Sequence, residues 1–368
     1  MELGVYSFGD VQVDPVTGEP GSGAQAMRNL VEAVRVADEV GLDYFGVGEH
    51  HTRDMPASAA AVVLAGAATV TKQIRLGSSV TVLSTDDPVR VFQQFSTVDA
   101  LSGGRAEVTA GRGSSRESYP LFGYELSDYD ELFEEKLDLL QLINEQDVVT
   151  WSGRFRPELK DALVVPRPEK GRLTVRVGTG GSPGSSVRAG RRGLPVVYGI
   201  IDGHPASFGP LAELYRRTAV ESGVSEGDLS VGVAGPGFLG TDGRAARDMW
   251  WRHWVTRMAV ISAQRGTPLT DREGYRRATA PGGALFVGNP EEIAERIVEL
   301  HRSMRHDRHI LEMDYGHLPH RELLRSIELL GTVVKPLVDA ALGPDNPEAG
   351  AGKHSCAPTP LTREGTDR

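Results

Sequence analysis

Short apolar, β-branched runs alternate with helical stretches eight times along the chain, and this alternation constrains the fold more than any single motif. Strands are expected over Leu3–Phe8, Tyr44–Gly48, Ile74–Leu83, Arg105–Ala110, Leu173–Val177, Pro195–Ile201, Leu229–Leu239 and Ile310–Tyr315. Helices are expected over Ala24–Gly41, Ala57–Lys72, Val89–Leu101, Asp128–Asn144, Pro183–Arg192, Pro205–Ser222, Gly243–Gln264, Pro290–Ser303 and Arg321–Val338. In the first helix Met27, Leu30, Val31, Val34 and Ala37 line one face. Segments such as VTVL, VRVG and VVYGII are apolar throughout, as strands buried on both faces of a parallel sheet must be. The pattern implies an α/β fold, a closed (β/α)₈ TIM barrel with an insertion after strand seven. The competing arrangement, a doubly wound sheet with a second domain, needs a linker, and none interrupts the first 340 residues. Val149–Pro168 reads as a connecting segment with hairpin chemistry in TWSGRF, and Gly266–Ala284 has no clear period. The barrel domain is expected over 1–342, followed by a disordered tail over 343–368 rich in Pro, Gly, Thr and charge.

Composition removes several function classes. The formal net charge of −10 argues against broad nucleic-acid binding, which wants a basic face. No apolar run approaches the ~18 residues of a membrane helix. The opening MELGVYSFGD lacks the basic and apolar regions of a signal peptide, so a soluble, cytoplasmic protein is expected. The single cysteine, Cys356, rules out a disulfide framework.

In such a barrel the chemistry sits on the loops after the strands. The loop after strand two reads Gly48-Glu49-His50-His51-Thr52. A histidine there suits acid–base work, and His50 is the candidate. Adjacent strand residues point to opposite faces, so the two histidines are poor partners for one metal, and no metal site is expected; His51 is read as packing. The loop after strand four puts Arg112 between Gly111 and Gly113, where a guanidinium can grip a phosphate. After strand five, Gly178-Thr179-Gly180-Gly181-Ser182-Pro183 runs into a helix start, with Ser182 at the N-cap and Pro183 at the first helical position. Free backbone N–H groups and the helix dipole make this an anion site. A dinucleotide fold is the rival, with Asp202 as the ribose acid, but Pro183 breaks its glycine pattern. His301, His306 and His309, near Asp307, are read as solvated, and Trp250, Trp251 and Trp254 as core or interface.

Taken in order, GEHHT at 48–52, RLGSSVTVLSTDDPVRV at 75–91, DALSGGRAEVTAGRG at 99–113, GTGGSPGSSVRAGRRGLP at 178–195 and LFVGNPEEIAERI at 285–297 resemble the bacterial luciferase-like flavin monooxygenase family, over residues 1 to about 342. The resemblance implies that His50 is the catalytic histidine. It implies that Arg112, Gly180, Gly181, Ser182 and Ser185 hold a flavin phosphate, and that Ser79 and Val80, often joined by a cis peptide, lie under the isoalloxazine ring. Reduced FMN (FMNH₂) and O2 would oxidise a small organic substrate, with a separate NAD(P)H:flavin reductase supplying the reduced cofactor. A homodimer would form through helices two and three, for which alanine-rich 57–68 is suited, and the 266–284 segment would be a mobile loop. Two departures stand out. Gly181 replaces the carboxylate that luciferase carries before the serine, and Gly111 replaces a reactive cysteine, which argues against light emission. Other readings remain: an F420-dependent oxidoreductase using hydride transfer without oxygen, a non-catalytic flavin-binding protein, and a phosphate-binding barrel isomerase.

Overall fold

The computed structural model describes residues 1–12, 16–17, 19–113, 117–266 and 268–343; the expected tail, with Cys356, lies outside them from residue 344 on. In chain order the first half comprises β1 (Glu2–Ser7), α1 (Gly23–Glu39), β2 (Tyr44–Val47), α2 (Ala60–Ala68), β3 (Arg75–Ser78), β4 (Thr81–Val82), α3 (Pro88–Ser102), β5 (Ala106–Gly111), α4 (Ser118–Phe122), α5 (Tyr129–Glu145), β6 (Val148–Trp151) and β7 (Leu159–Leu163). The second half comprises β8 (Thr174–Thr179), α6 (Pro183–Arg191), β9 (Val196–Gly199), α7 (Gly209–Glu221), β10 (Val231–Leu239), α8 (Gly243–Arg265), α9 (Arg272–Thr279), β11 (Phe286–Gly288), α10 (Pro290–Met304), β12 (Arg308–Glu312), α11 (His320–Leu329) and α12 (Lys335–Leu342).

Eight parallel strands close into a barrel in the order β1, β2, β3, β5, β8, β9, β10, β12. Closure is direct: β12 pairs with β1 (Val5 opposite Leu311), and β10 pairs with both β9 and β12. Short β4 continues β3 and pairs with β5, while β11 extends β10. The hairpin expected in 149–168 is present as antiparallel β6 and β7, outside the barrel.

Charges fill the barrel floor, near the strand starts. Arg308 Nη1 donates to Glu107 Oε1 at 2.6 Å, Arg176 Nε donates to Glu107 Oε2 at 3.1 Å, and Arg308 Nε reaches Glu2 Oε2 at 2.7 Å. Burial alone would raise the Glu107 pKa, but Arg308 and Arg176 outweigh it and hold it low. Above this layer Tyr6, Tyr44, Val197, Ala234 and Ile310 form an apolar plug inside the barrel.

Several elements differ from the sequence expectation. Helix α2 starts at Ala60, not Ala57, because Ala57 spends its backbone on the mouth: its N–H donates to Phe8 O and its carbonyl accepts from His50 N. It stops at Ala68, where the Thr69 and Thr71 hydroxyls bond back to the Gly66 and Ala67 carbonyls. The segment read as unperiodic after strand seven contains helix α9, docked on α8: Tyr275 is buried with its ring 4.9 Å from that of Trp251, and the Arg272 guanidinium lies 5.1 Å above Trp251. The last barrel strand begins at Arg308, two residues before the expected Ile310.

Candidate active site

The C-terminal ends of β5 and β8 bring the expected phosphate contacts together. Ser182 caps α6 in an extended conformation, its hydroxyl accepting from Ser185 N, with Pro183 at the start of the helix. Gly181 before it has φ +101°, and a Cβ there would stand 2.6 Å from the Phe208 ring, so this position is closed to the family's carboxylate. Gly180 has no atom within 4 Å of where a Cβ would stand, leaving its backbone open. Arg112 follows β5 directly. Its Nη2 donates to Ser185 Oγ at 3.2 Å, its Nη1 pairs with the Asp130 carboxylate, and its guanidinium lies 4.8 Å above the Tyr129 ring. Ser182 Oγ and Ser185 Oγ are 2.8 Å apart.

Ser79 and Val80 sit where the third barrel strand breaks between β3 and β4, and the peptide joining them is cis. Ser79 Oγ lies 3.1 Å from the Tyr44 hydroxyl. The Val80 side chain wedges between the ends of β5 and β8. A Cβ on Gly111 would stand 2.5 Å from Val80 Cγ2, and one on Gly178 would stand 2.6 Å from Val80 Cγ1. The glycine before Arg112 is therefore a packing requirement set by Val80.

His50 lies at the end of β2. Its Nδ1 is 2.6 Å from Glu117 Oε1, and its ring meets that of Phe8 edge-on with centroids 4.5 Å apart. Among the described residues nothing hydrogen-bonds its Nε2, the nitrogen left for a ligand. Burial raises the Glu117 pKa, but the hydrogen bond from His50 and backbone hydrogen bonds together outweigh it, so the carboxyl is held below its ordinary value. His51 turns the other way, its Nε2 3.0 Å from Glu49 Oε1 and its ring edge-on to Phe122. Glu49 also accepts from Val82 N, which anchors β4. His51 thus packs, although both histidines lie past the end of β2 and strand alternation is not what separates them.

Sequence reasoning missed several groups here. Glu117 lies in the same connection as Arg112, so one segment supplies a partner to Ser185 on one side and to His50 on the other. Arg188 Nη1 also lies 3.2 Å from Ser185 Oγ. On the β1–β12 side, Tyr6 OH donates to Glu312 Oε2 at 2.9 Å, Ser7 Oγ bonds Asp314, and Arg257 reaches from α8 to Asp10 at 3.0 Å. Two of these three buried carboxylates, Asp10 and Glu312, share that one guanidinium, and Glu312 Oε1 and Asp314 Oδ1 have no hydrogen-bond partner. Burial, opposed by Arg257 and reinforced by Asp314, pushes the Glu312 carboxyl up to about 7. Nothing in the local sequence of α8 marks Arg257; only the folded helix brings it to the strand ends.

The histidines read as solvated are corrected. His306 and His309 are 0% and 1% exposed, at the opposite end of the barrel from His50. The early start of β12 draws them inside, with His309 Nδ1 3.2 Å from His306 Nε2 and His301 Nδ1 2.7 Å from His306 O. Burial, reinforced by Arg296, pushes His309 down to about 3, and His306 also lies well below its ordinary value, so both are neutral. The tryptophans are core, as expected: Trp250 and Trp254 are buried, and Trp251 holds α9.

This geometry defines a class: a closed parallel barrel with an arginine set against a capped helix start and a carboxylate-held histidine at its C-terminal mouth. Residues 1–307 match the family described as luciferase-like monooxygenase, and the chain belongs to that family. An uncharacterized protein (y4vJ) of Sinorhizobium fredii is 23% identical over 333 residues, covering 88% of this chain and 94% of its own length. The 4-hydroxyprotoasukamycin monooxygenase of Streptomyces nodosus is 26% identical, covering 89% and 90%. Among solved structures, monooxygenase RslO1 from Streptomyces bottropensis superposes with TM-score 0.77 at 21% identity, over 91% of this chain and 99% of that one. The oxygenating constituent of 3,6-diketocamphane monooxygenase from Pseudomonas putida, in complex with FMN, gives 0.73 at 17%, over 91% and 98%. An F420-dependent secondary alcohol dehydrogenase gives 0.69 at 19%, over 92% and 98%. The fold is therefore shared by FMN- and F420-binding proteins, and family membership supports an oxidoreductase.

Proposed function

We propose that the chain is a flavin-dependent monooxygenase that uses reduced FMN and O2 to oxidise a small organic substrate. The observation that carries this reading is the single connection after β5, with Arg112 on the phosphate corner and Glu117 on His50. The donor set fits a phosphate: two guanidinium groups, two hydroxyls and a capped helix start, beside the open backbone of Gly180. Asp130 already occupies the Arg112 guanidinium with a carboxylate, a built-in stand-in for an anion. In this reading Arg112, Gly180, Gly181, Ser182 and Ser185 hold the phosphate, and Ser79 and Val80 support the ring. Reduced FMN supplies the electrons with which oxygen is activated. His50, oriented by Glu117, holds or takes a proton at Nε2, while Phe8 screens one side of its ring from water.

The donor set contains no nicotinamide-binding fingerprint, which supports delivery of reduced flavin by a separate reductase from a cytoplasmic pool. Among the described residues no helix is long and apolar enough to cross a membrane. Exposed Val62 on α2 and Phe122, which line one cleft with Phe95 of α3, support pairing of two copies there. Oxygen consumption with reduced FMN tests the reading. If His50→Ala leaves coupled product formation intact, the role given to His50 is wrong. F420 is the second cofactor reading, favoured by the F420-dependent fold relatives; tight binding of F420 with no binding of FMN by the purified protein would select it.

A further inference from the structure

Two arginines converge on one buried hydroxyl at the mouth, and a carboxylate already sits between them. Arg112 Nη2 and Arg188 Nη1 each lie 3.2 Å from Ser185 Oγ. Asp130 Oδ1 pairs with Arg112 Nη1 and is 3.9 Å from Arg188 Nη2. The cations are fixed: Arg112 lies against Tyr129, and Arg188 is tied to Glu134. The anion is not: the Asp130 side chain is 69% exposed, against 22% for Arg112 and 13% for Arg188. A carboxylate held by guanidinium groups marks a corner suited to phosphate, which takes the same donors with three oxygens and more charge.

We propose that Asp130 is an internal competitor for the cofactor's phosphate at the Arg112–Arg188 pair, which makes the site one for a phosphate monoester that exchanges instead of staying bound. The surrounding charges balance: Arg112, Arg188 and Arg192 face Asp130, Glu134 and Asp138. An incoming phosphate must displace Asp130 from Arg112 and then remain near its like charge. That lowers affinity, and among related complexes affinity differences appear mostly in the dissociation rate. Such tuning suits a reduced cofactor delivered afresh for each turnover. The identity of the phosphate carrier rests on the flavin reading; the competition itself does not.

Titration of inorganic phosphate at fixed ionic strength, followed on the Ser182 and Ser185 amide resonances, reads the corner directly. Relative to the unaltered chain, Asp130→Asn tightens phosphate binding about five- to tenfold, the effect of removing one like charge at close range. Glu131→Gln removes the same charge one residue along, on a side chain paired to Arg154, and changes affinity by less than about twofold. Arg188→Gln weakens binding at least about fivefold. FMN follows the phosphate series, while riboflavin, which lacks the phosphate, does not respond to any of the three changes. Asp130→Asn binding phosphate no more tightly than Glu131→Gln overturns the proposal, as does absence of phosphate binding to all four proteins. If the phosphate series holds but FMN does not bind, the competitor stands and the flavin reading falls.

Discussion

Buried charge is handled differently at the two ends of the barrel. On the floor, both oxygens of Glu107 are matched by arginines, and the neighbouring His306 and His309 are neutral. At the mouth, Asp10 and Glu312 share Arg257, Asp314 is held by Ser7, and Glu312 Oε1 and Asp314 Oδ1 have no hydrogen-bond partner. The floor's charges neutralise one another and hold strand starts together. The mouth retains carboxyls whose pKa values burial raises, Glu312 to about 7, a property that adds nothing to packing and is available to chemistry.

The largest test of that contrast is to remove the guanidinium at each end. Arg308→Met leaves Glu107 buried with half its partners, and a loss of about 3–5 kcal/mol in denaturant unfolding is expected. Arg257→Met, measured at about pH 6, is expected to cost less than about half as much, because the mouth carboxyls escape their unpaired charge by binding protons. Equal losses would break the comparison.

A smaller effect tests the mouth as packing. Gly111→Ala drives a methyl against Val80, and an overpacking cost of about 3 kcal/mol is expected. Val80→Ala in the same chain opens the space, so the double variant should be more stable than Gly111→Ala alone. If the second change brings no recovery, the clash lies elsewhere and the glycine before Arg112 needs another explanation.

The contrast also explains what was legible in the sequence. The meeting of Arg112 with the Ser182 helix start was readable because a glycine-rich turn entering a helix has one geometry, and consecutive strand ends in a barrel are neighbours; Ser185 came only with the family resemblance. His50 was separable from His51 by its place at the barrel mouth and by the family resemblance, not by strand alternation, since both lie past the end of β2. Glu117 and Arg188 were not readable: each is an ordinary charged residue in a loop or on a helix, and only tertiary structure aims it. Asp10, Arg257 and Glu312 come from three distant segments. The floor histidines were misread for a local reason. A strand start placed two residues late left Arg308 and His309 in a loop, where polar residues look solvated, although the interior of this barrel is lined with paired charges.

The finest discrimination between the ends lies in pH, because their buried groups shift in opposite directions. Glu312 is raised to about 7 by burial, with Arg257 opposing and Asp314 adding, while Tyr6 and Tyr315 lie against it. An unfolded glutamate titrates near 4.3. The stability from Glu312 is therefore complete below about pH 4 and lost as pH rises through about 7, so Glu312→Gln should remove a decline of about 2–3 kcal/mol between pH 5 and 8. Asp10 and Asp314 carry shifts of the same sign, so some alkaline decline remains in that variant. His309 runs the other way. Its folded value of about 3 lies below the ordinary 6.5, through burial and then Arg296, with His306 and Phe286 against the ring. Its contribution is present above about pH 6.5 and lost as pH falls, and His309→Gln should reduce the loss between pH 7 and 5 by about 2 kcal/mol. His306, lowered in the same direction, preserves part of that acid limb. The outcome that defeats the comparison is a change of the wrong sign: a histidine change that lessens the decline toward alkaline pH, or a glutamate change that lessens the loss toward acid pH. Either would mean that floor and mouth titrate as one coupled unit through the apolar plug formed by Tyr6, Tyr44 and Ile310.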